Sequence, residues 1–225
     1  MKWPDDYLGK IFNCDCMEIM KQLPDKCVDL CLCDPPYGIG DPSGTIGISR
    51  SYKHEYSGVF EDNEEYIKSV CVDVVNESIR ISKAVILTPG PKWFCLYPSP
   101  TSFGVFRQPA SVSLCKWGRA DAQPIFYYGV DYESGKKIKP CSYDMNEIPE
   151  KNGHPCPKPI NTWSVLVERG ANIGGIVFDP FMGSGTTAVA CERLGRKWFG
   201  CELEPKYVEI ANKRIEAERA QLKLF

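Results

Sequence analysis

The sequence lacks the patterns that most often tie cysteine and histidine to metal. It has no C-x-x-C pair and only two histidines, so the usual zinc spacings are missing and no metal site is expected. No stretch approaches the roughly 20 apolar residues that cross a bilayer, so no membrane segment is expected. The opening MKWPDDYLGK lacks the charged region and apolar stretch of a secretory signal. Excess charge is missing too. A net charge of −2 excludes a protein that coats nucleic acid by charge alone, but leaves room for a local basic cleft. Neither G-x-G-x-x-G nor G-x-x-x-x-G-K-[ST] occurs, which argues against a dinucleotide and against the phosphate chain of ATP.

Cysteine, by contrast, is plentiful, with twelve in 225 residues. Cys31, Cys71 and Cys191 lie inside apolar runs, where a free thiol behaves as a small hydrophobe. A reducing cytoplasm is the expected setting. The length suits one domain, residues 1–225, with a small insert.

Val28 to Cys33 is an apolar run broken only by Asp29, as expected of a strand covered on both faces. DPPYG follows it. Strands are also expected at Lys10 to Asn13, Ala84 to Leu87, Ile176 to Asp179 and Trp198 to Glu202. Helices are expected at Cys16 to Gln22, Glu64 to Ser82, Thr186 to Leu194 with Gly195 as its stop, and Pro205 to about Leu222. Asn161 is placed to cap a helix running to about Arg169. Strands alternating with helices predict a three-layer α/β sandwich around a mostly parallel sheet, Rossmann-like.

Two segments break the alternation. Residues 38–60 are rich in Gly, Ser and Tyr without a clear period, and a loop of that length reads as a lid. Between residues 93 and 145, prolines, aromatics and short β-prone pieces replace helices. From Lys92 to Lys139 there are seven Lys/Arg against three acids. A solvated surface explains that surplus as well as a binding face does.

The C-terminal unit VFDPFMGSGTTAVACERLGRKWFGCELE carries the first chemical signal. A strand ends in Asp179, a glycine turn follows and a helix begins. Glycines let backbone amides approach a ligand, and the helix start adds positive potential. A second strand ends in Glu202, placed to accept bonds from two ribose hydroxyls. A tight strand–helix turn is the plainer reading of the glycines alone. A ligand that carries adenosine without a phosphate chain fits both features.

DPPY at Asp34–Tyr37, with F-D-P-F-x-G-S-G-T-T, resembles the amino-methylating DNA methyltransferases that use S-adenosylmethionine. The catalytic motif precedes the cofactor motif, which resembles their permuted β subgroup, and HPCPKP (154–159) is similar to its H-P-x-x-K-P segment. The resemblance implies a seven-stranded sheet with one antiparallel strand and a target-recognition insert at 93–145. It makes Asp34, Pro35, Pro36 and Tyr37 catalytic. It makes Asp15, Cys33, Asp34, His154, Lys158, Asp179, Pro180, Phe181, Gly183, Ser184, Gly185, Thr186, Glu202 and Leu203 the residues around S-adenosylmethionine.

An exocyclic amine keeps its lone pair in the ring until its hydrogens are held by acceptors. Asp34 and the Pro35 carbonyl are such acceptors, pre-positioned by consecutive prolines with fixed φ. Tyr37 can stack on an extruded base. A proline turn that merely ends a strand, and a stiff linker at 154–159, are the plainer readings of the isolated motifs.

DPPY leans toward adenine N6, with cytosine N4 as the alternative; RNA as substrate and a non-catalytic accessory stay open. DNA is the expected partner, met by Arg50, Lys53, Arg107, Lys116 and Arg119. The insert is small for autonomous recognition, so the resemblance also implies a dimer, a specificity subunit or a nuclease partner.

Overall fold

The computed structural model describes residues 1–38, 62–107, 121–129, 141–144, 147–154 and 156–223, and the backbone alone of 114–115 and 118–119. The lid expected at 38–60, with Arg50 and Lys53, lies outside the described residues save for Gly38. So do Lys116 and the Arg119 side chain.

The strands are β1 (Ile11–Phe12), β2 (Val28–Cys33), β3 (Ser82–Leu87), β4 (Ser102–Arg107), β5 (Leu114–Cys115), β6 (Gly118–Arg119), β7 (Ala122–Gly129), β8 (Ser142–Asp144), β9 (Ile176–Asp179) and β10 (Lys197–Cys201). The helices are α1 (Cys16–Met20), α2 (Glu64–Tyr66), α3 (Val72–Ile81), α4 (Ile160–Gly170), α5 (Thr186–Leu194) and α6 (Pro205–Leu222). A π-helical segment, Ile67–Cys71, joins α2 to α3.

The main sheet has eight strands in the order β1-β10-β9-β2-β3-β7-β4-β8. Every neighbouring pair is parallel except the two that involve β7. The expected single antiparallel strand is therefore β7, but the strand count is eight rather than seven. The additional strand, β8, is three residues long and exposed at two of them, too short and too polar to register as a strand in sequence. β4, β7 and β8 come from the stretch read as an insert and extend the same sheet. β5 and β6 form a separate two-stranded ladder.

Alternation on β2 divides the core. Cys31 and Cys33 face a cluster with Val74, Val75, Phe178 and Phe199. Leu30 and Leu32 face Trp163, Leu166, Val189, Ala211 and Ile215 of α4, α5 and α6. Helices thus cover both faces, giving the three layers. Asp29 interrupts the apolar run because it clamps both neighbouring strands. It accepts from the Ile176 amide at 2.8 Å and from Lys83 Nζ at 2.8 Å.

Two helix starts depart from expectation. The helix read as continuous from residue 64 contains the π segment, and Val70 within it and Tyr66 just before it line the pocket described below; widened turns of this kind often mark functional sites. Asn161 is not the cap of α4. Pro159 precedes the helix, and the Glu147 carboxylate accepts from the Asn161 amide at 2.9 Å and from its side chain at 3.1 Å. A carboxylate from a distant segment has taken the capping role.

Gly185 starts α5 with φ at 80°. A Cβ there would lie 2.8 Å from the Ala211 Cβ on α6. Left-handed strain and overpacking then combine, so Gly185→Ala should destabilise the fold by about 2–4 kcal/mol. Urea unfolding monitored by tryptophan fluorescence would show this as a lower midpoint at unchanged slope.

Candidate active site

β2 and β9 are parallel neighbours, with Leu30 opposite Val177 and Cys31 opposite Phe178. Their next residues, Asp34 beyond β2 and the glycine turn beyond Asp179, therefore emerge on one rim. Between them lies a pocket of about 140 Å³, where one water needs roughly 10–15 Å³. Asp34, Pro35, Pro36 and Tyr37 form one wall, and Asp179, Pro180, Phe181, Gly183, Ser184 and Thr186 another. Asp15, His154, Lys158, Glu202 and Leu203 complete the set that sequence placed around a ligand. Cys33 and Gly185 stand behind the wall: Cys33 is fully buried in β2, and Gly185 packs on Ala211.

The turn is held from inside by Asp179. One of its oxygens accepts from the Phe181 amide at 2.9 Å and the other from the Thr187 hydroxyl at 2.5 Å. Burial pushes this carboxyl up to about 7, against the pull of those two bonds. Glu202, also raised by burial, accepts from the Gly183 and Glu204 amides at 2.8 and 2.9 Å. Arg214 of α6 grips the turn from outside, donating to the Ser184 carbonyl at 2.5 Å and to the hydroxyls of Ser184 and Thr186 at 3.3 Å each.

At the tip, Asp34 is the hub. Its Oδ1 accepts from the Tyr37 hydroxyl at 2.7 Å, the Thr88 hydroxyl at 2.5 Å and Lys158 Nζ at 2.9 Å. Its Oδ2 lies 2.7 Å from the same ammonium. Lys158 also donates to the Tyr37 hydroxyl at 2.8 Å. Gly90 closes in behind Tyr37, for a Cβ there would stand 2.7 Å from the ring. Next to the turn, His154 packs on Tyr207 with ring centroids 4.4 Å apart. Burial, then the Lys158 charge, lower its pKa to about 4, so the imidazole is neutral at pH 7.

The electrostatics are lopsided. Among the described residues, six carboxyl side chains line the pocket (Asp15, Asp34, Asp62, Asp179, Glu202 and Glu204) against one cation, Lys158. Such a lining repels phosphate and suits a hydroxylated, cationic ligand.

A model of the family described as DNA methylase, of the N6/N4 type, matches residues 94–213. The chain belongs to the DNA methylase family. The match contains the glycine turn, while the Asp34 tip precedes it. The chain is 28% identical to the type II methyltransferase M.BamHI of Bacillus amyloliquefaciens over 97% of its own length and 59% of that protein's. It is 30% identical to M2.DpnII of Streptococcus pneumoniae over 79% of its length and 62% of that protein's. It thus spans about 60% of those relatives. Its fold is similar to the crystal structure of the M1.HpyAVI–SAM complex, with a TM-score of 0.63 at 19% identity over 92% of this chain and 98% of that one. It is equally similar to PvuII DNA methyltransferase, described as cytosine-N4-specific, with a TM-score of 0.64 at 15% identity over 92% and 88% of the two chains.

Sequence reasoning missed several residues of this candidate site. Thr88 follows β3, whose Leu87 pairs with Cys33, so the strand register alone would have pointed to it. Thr187 closes the quoted F-D-P-F-x-G-S-G-T-T motif, but its bond to Asp179 emerges only in the fold. Tyr66, Trp163 and Tyr207 reach the pocket from helices and carry no local signal. Arg107, expected on DNA, lies at the end of β4 outside the pocket lining and donates to Asp144 at 2.7 Å. That pair is exposed, so water screens it and it holds the guanidinium only weakly.

Asp179 gives the site a pH signature. Its folded pKa is raised above the unfolded one, so its contribution is full below about pH 4 and is lost as pH rises through about 7. Relative to Asp179→Asn, the wild type should lose on the order of 1–3 kcal/mol of stability between pH 4.5 and 7.5. Urea midpoints of the two proteins across that range measure the difference; parallel curves would contradict it.

Proposed function

We propose that this chain transfers a methyl group from S-adenosylmethionine to the N6 amine of adenine in DNA. The supporting observation is the one pocket that the Asp34 tip and the glycine turn both line, with six carboxyl side chains and one ammonium among its described residues. The residues suit S-adenosylmethionine. Glu202 and Asp15 offer acceptors for hydroxyl and amine groups, the glycine turn offers close backbone approach, and the acidic lining favours a cation. When bound, the cofactor supplies an electrophilic methyl group.

The chain's own part is to present the amine. Asp34 and the Pro35 carbonyl accept its hydrogens and turn the lone pair out of conjugation. The prolines hold both acceptors in place, so little ordering is left for the moment of reaction. Tyr37 supplies an aromatic face for the base. Thr88 and Gly90 fix the carboxylate and the ring from behind. The proton released after transfer goes to water.

D-P-P-Y rather than S-P-P-Y supports adenine. Cytosine N4 is the competing reading, favoured by the likeness to the cytosine-N4-specific fold. DNA contacts from Arg107, Arg119, Lys116, Arg50 and Lys53, with a second subunit or a nuclease partner, belong to the same proposal. No described helix is long and apolar enough to cross a membrane.

Transfer of labelled methyl to duplex DNA tests this directly. Asp34→Ala should retain the fold and lose turnover by about 10²–10³-fold, the range for removing one preorganised polar group. Nucleoside analysis of the product should find N6-methyladenine. N4-methylcytosine instead would overturn the base assignment, and wild type without transfer would overturn the function.

A further inference from the structure

Lys158 sits where the reaction needs an open place. Its ammonium lies 2.9 and 2.7 Å from the two oxygens of Asp34 and 2.8 Å from the Tyr37 hydroxyl. It also lies over the Tyr37 ring, 4.7 Å from the centroid. Asp34, one of the two acceptors that would hold a target amine, and the Tyr37 ring that would take its base are thus engaged by one side chain. With three charge-assisted donors and about one-fifth exposure, the ammonium is firmly seated. A second resting place stands close by, since the Trp163 ring of α4 is 5.5 Å away.

We propose that Lys158 is a charge-sensing placeholder for the target amine, which yields Asp34 when a cationic methyl donor occupies the pocket and keeps it when the neutral thioether product does. The inference rests on the function proposed above. An amine held by Asp34 has to approach the methyl carbon to about 3–3.5 Å, so an ammonium in the same place faces the sulfonium at close range. Two like charges at about 6 Å repel enough to change an equilibrium between roughly threefold and a hundredfold, depending on the local dielectric. Lys158 can relieve that repulsion by leaving Asp34 for Trp163, and the base site opens. Opposite a neutral thioether nothing drives the move, so Asp34 stays closed to a further base. By linkage, this coupling appears as an affinity difference between the two ligands.

Calorimetric titration with S-adenosylmethionine and S-adenosylhomocysteine reads the coupling without turnover. Lys158→Met should shift the affinity ratio toward the cationic ligand by about tenfold relative to wild type. Lys158→Gln, which keeps hydrogen-bond donors on Asp34 but drops the charge, should shift it likewise. Lys158→Arg should stay within about twofold of wild type. If Met does not fold, Gln carries the comparison. Wild-type ratios in both neutral variants would overturn the placeholder while leaving the proposed function intact. A wild type that binds neither ligand would overturn both.

Discussion

Everything at the site depends on the parallel pairing of β2 with β9. Both strands run the same way, and Leu30 is matched to Val177. A proline tip and a glycine turn, far apart in the chain, therefore leave the sheet on one rim. A register slip of one residue would turn Leu30 and Leu32 from one core to the other. Asp29 guards against that slip by bonding to the first amide of β9. One polar residue inside a buried strand is thus the cost of fixing where two loops meet.

The pocket is costly to build. Asp179 and Glu202 are carboxyls withdrawn from water, and burial raises both. Backbone amides and a threonine hydroxyl offset part of that cost, and Lys158 balances Asp34. Rim and turn are stiff for the same reason, since each carboxylate is also a cross-link between segments. An acidic lining of this kind disfavours the phosphate-bearing nucleotides that share an adenosine with the proposed cofactor.

Much of this was legible in the sequence, where local chemistry and pattern agree. β2, β9 and α5 have the limits that the apolar runs and the turn residues gave. Pro205 opens α6, and Gly195 ends α5 in the left-handed region. The misses share a cause, namely partners from distant segments. Glu147 caps α4 from 14 residues away. Thr88 reaches Asp34 across a strand pair. β8 is a strand only because β4 lies beside it. Lys158 was readable as a pocket residue from its motif, but its grip on Asp34, 124 positions away, is a product of the fold.

The bond from Arg214 to Ser184 joins the last helix to the turn at the pocket. α6 spans 18 residues, and one turn beyond Arg214 its Glu218 accepts from Arg193 of α5. The middle of the helix is thus tied both to the turn and to the helix that the turn begins. Pulling or docking at the chain's tail would therefore be felt at the glycine turn, which makes the C-terminal helix a handle on ligand affinity.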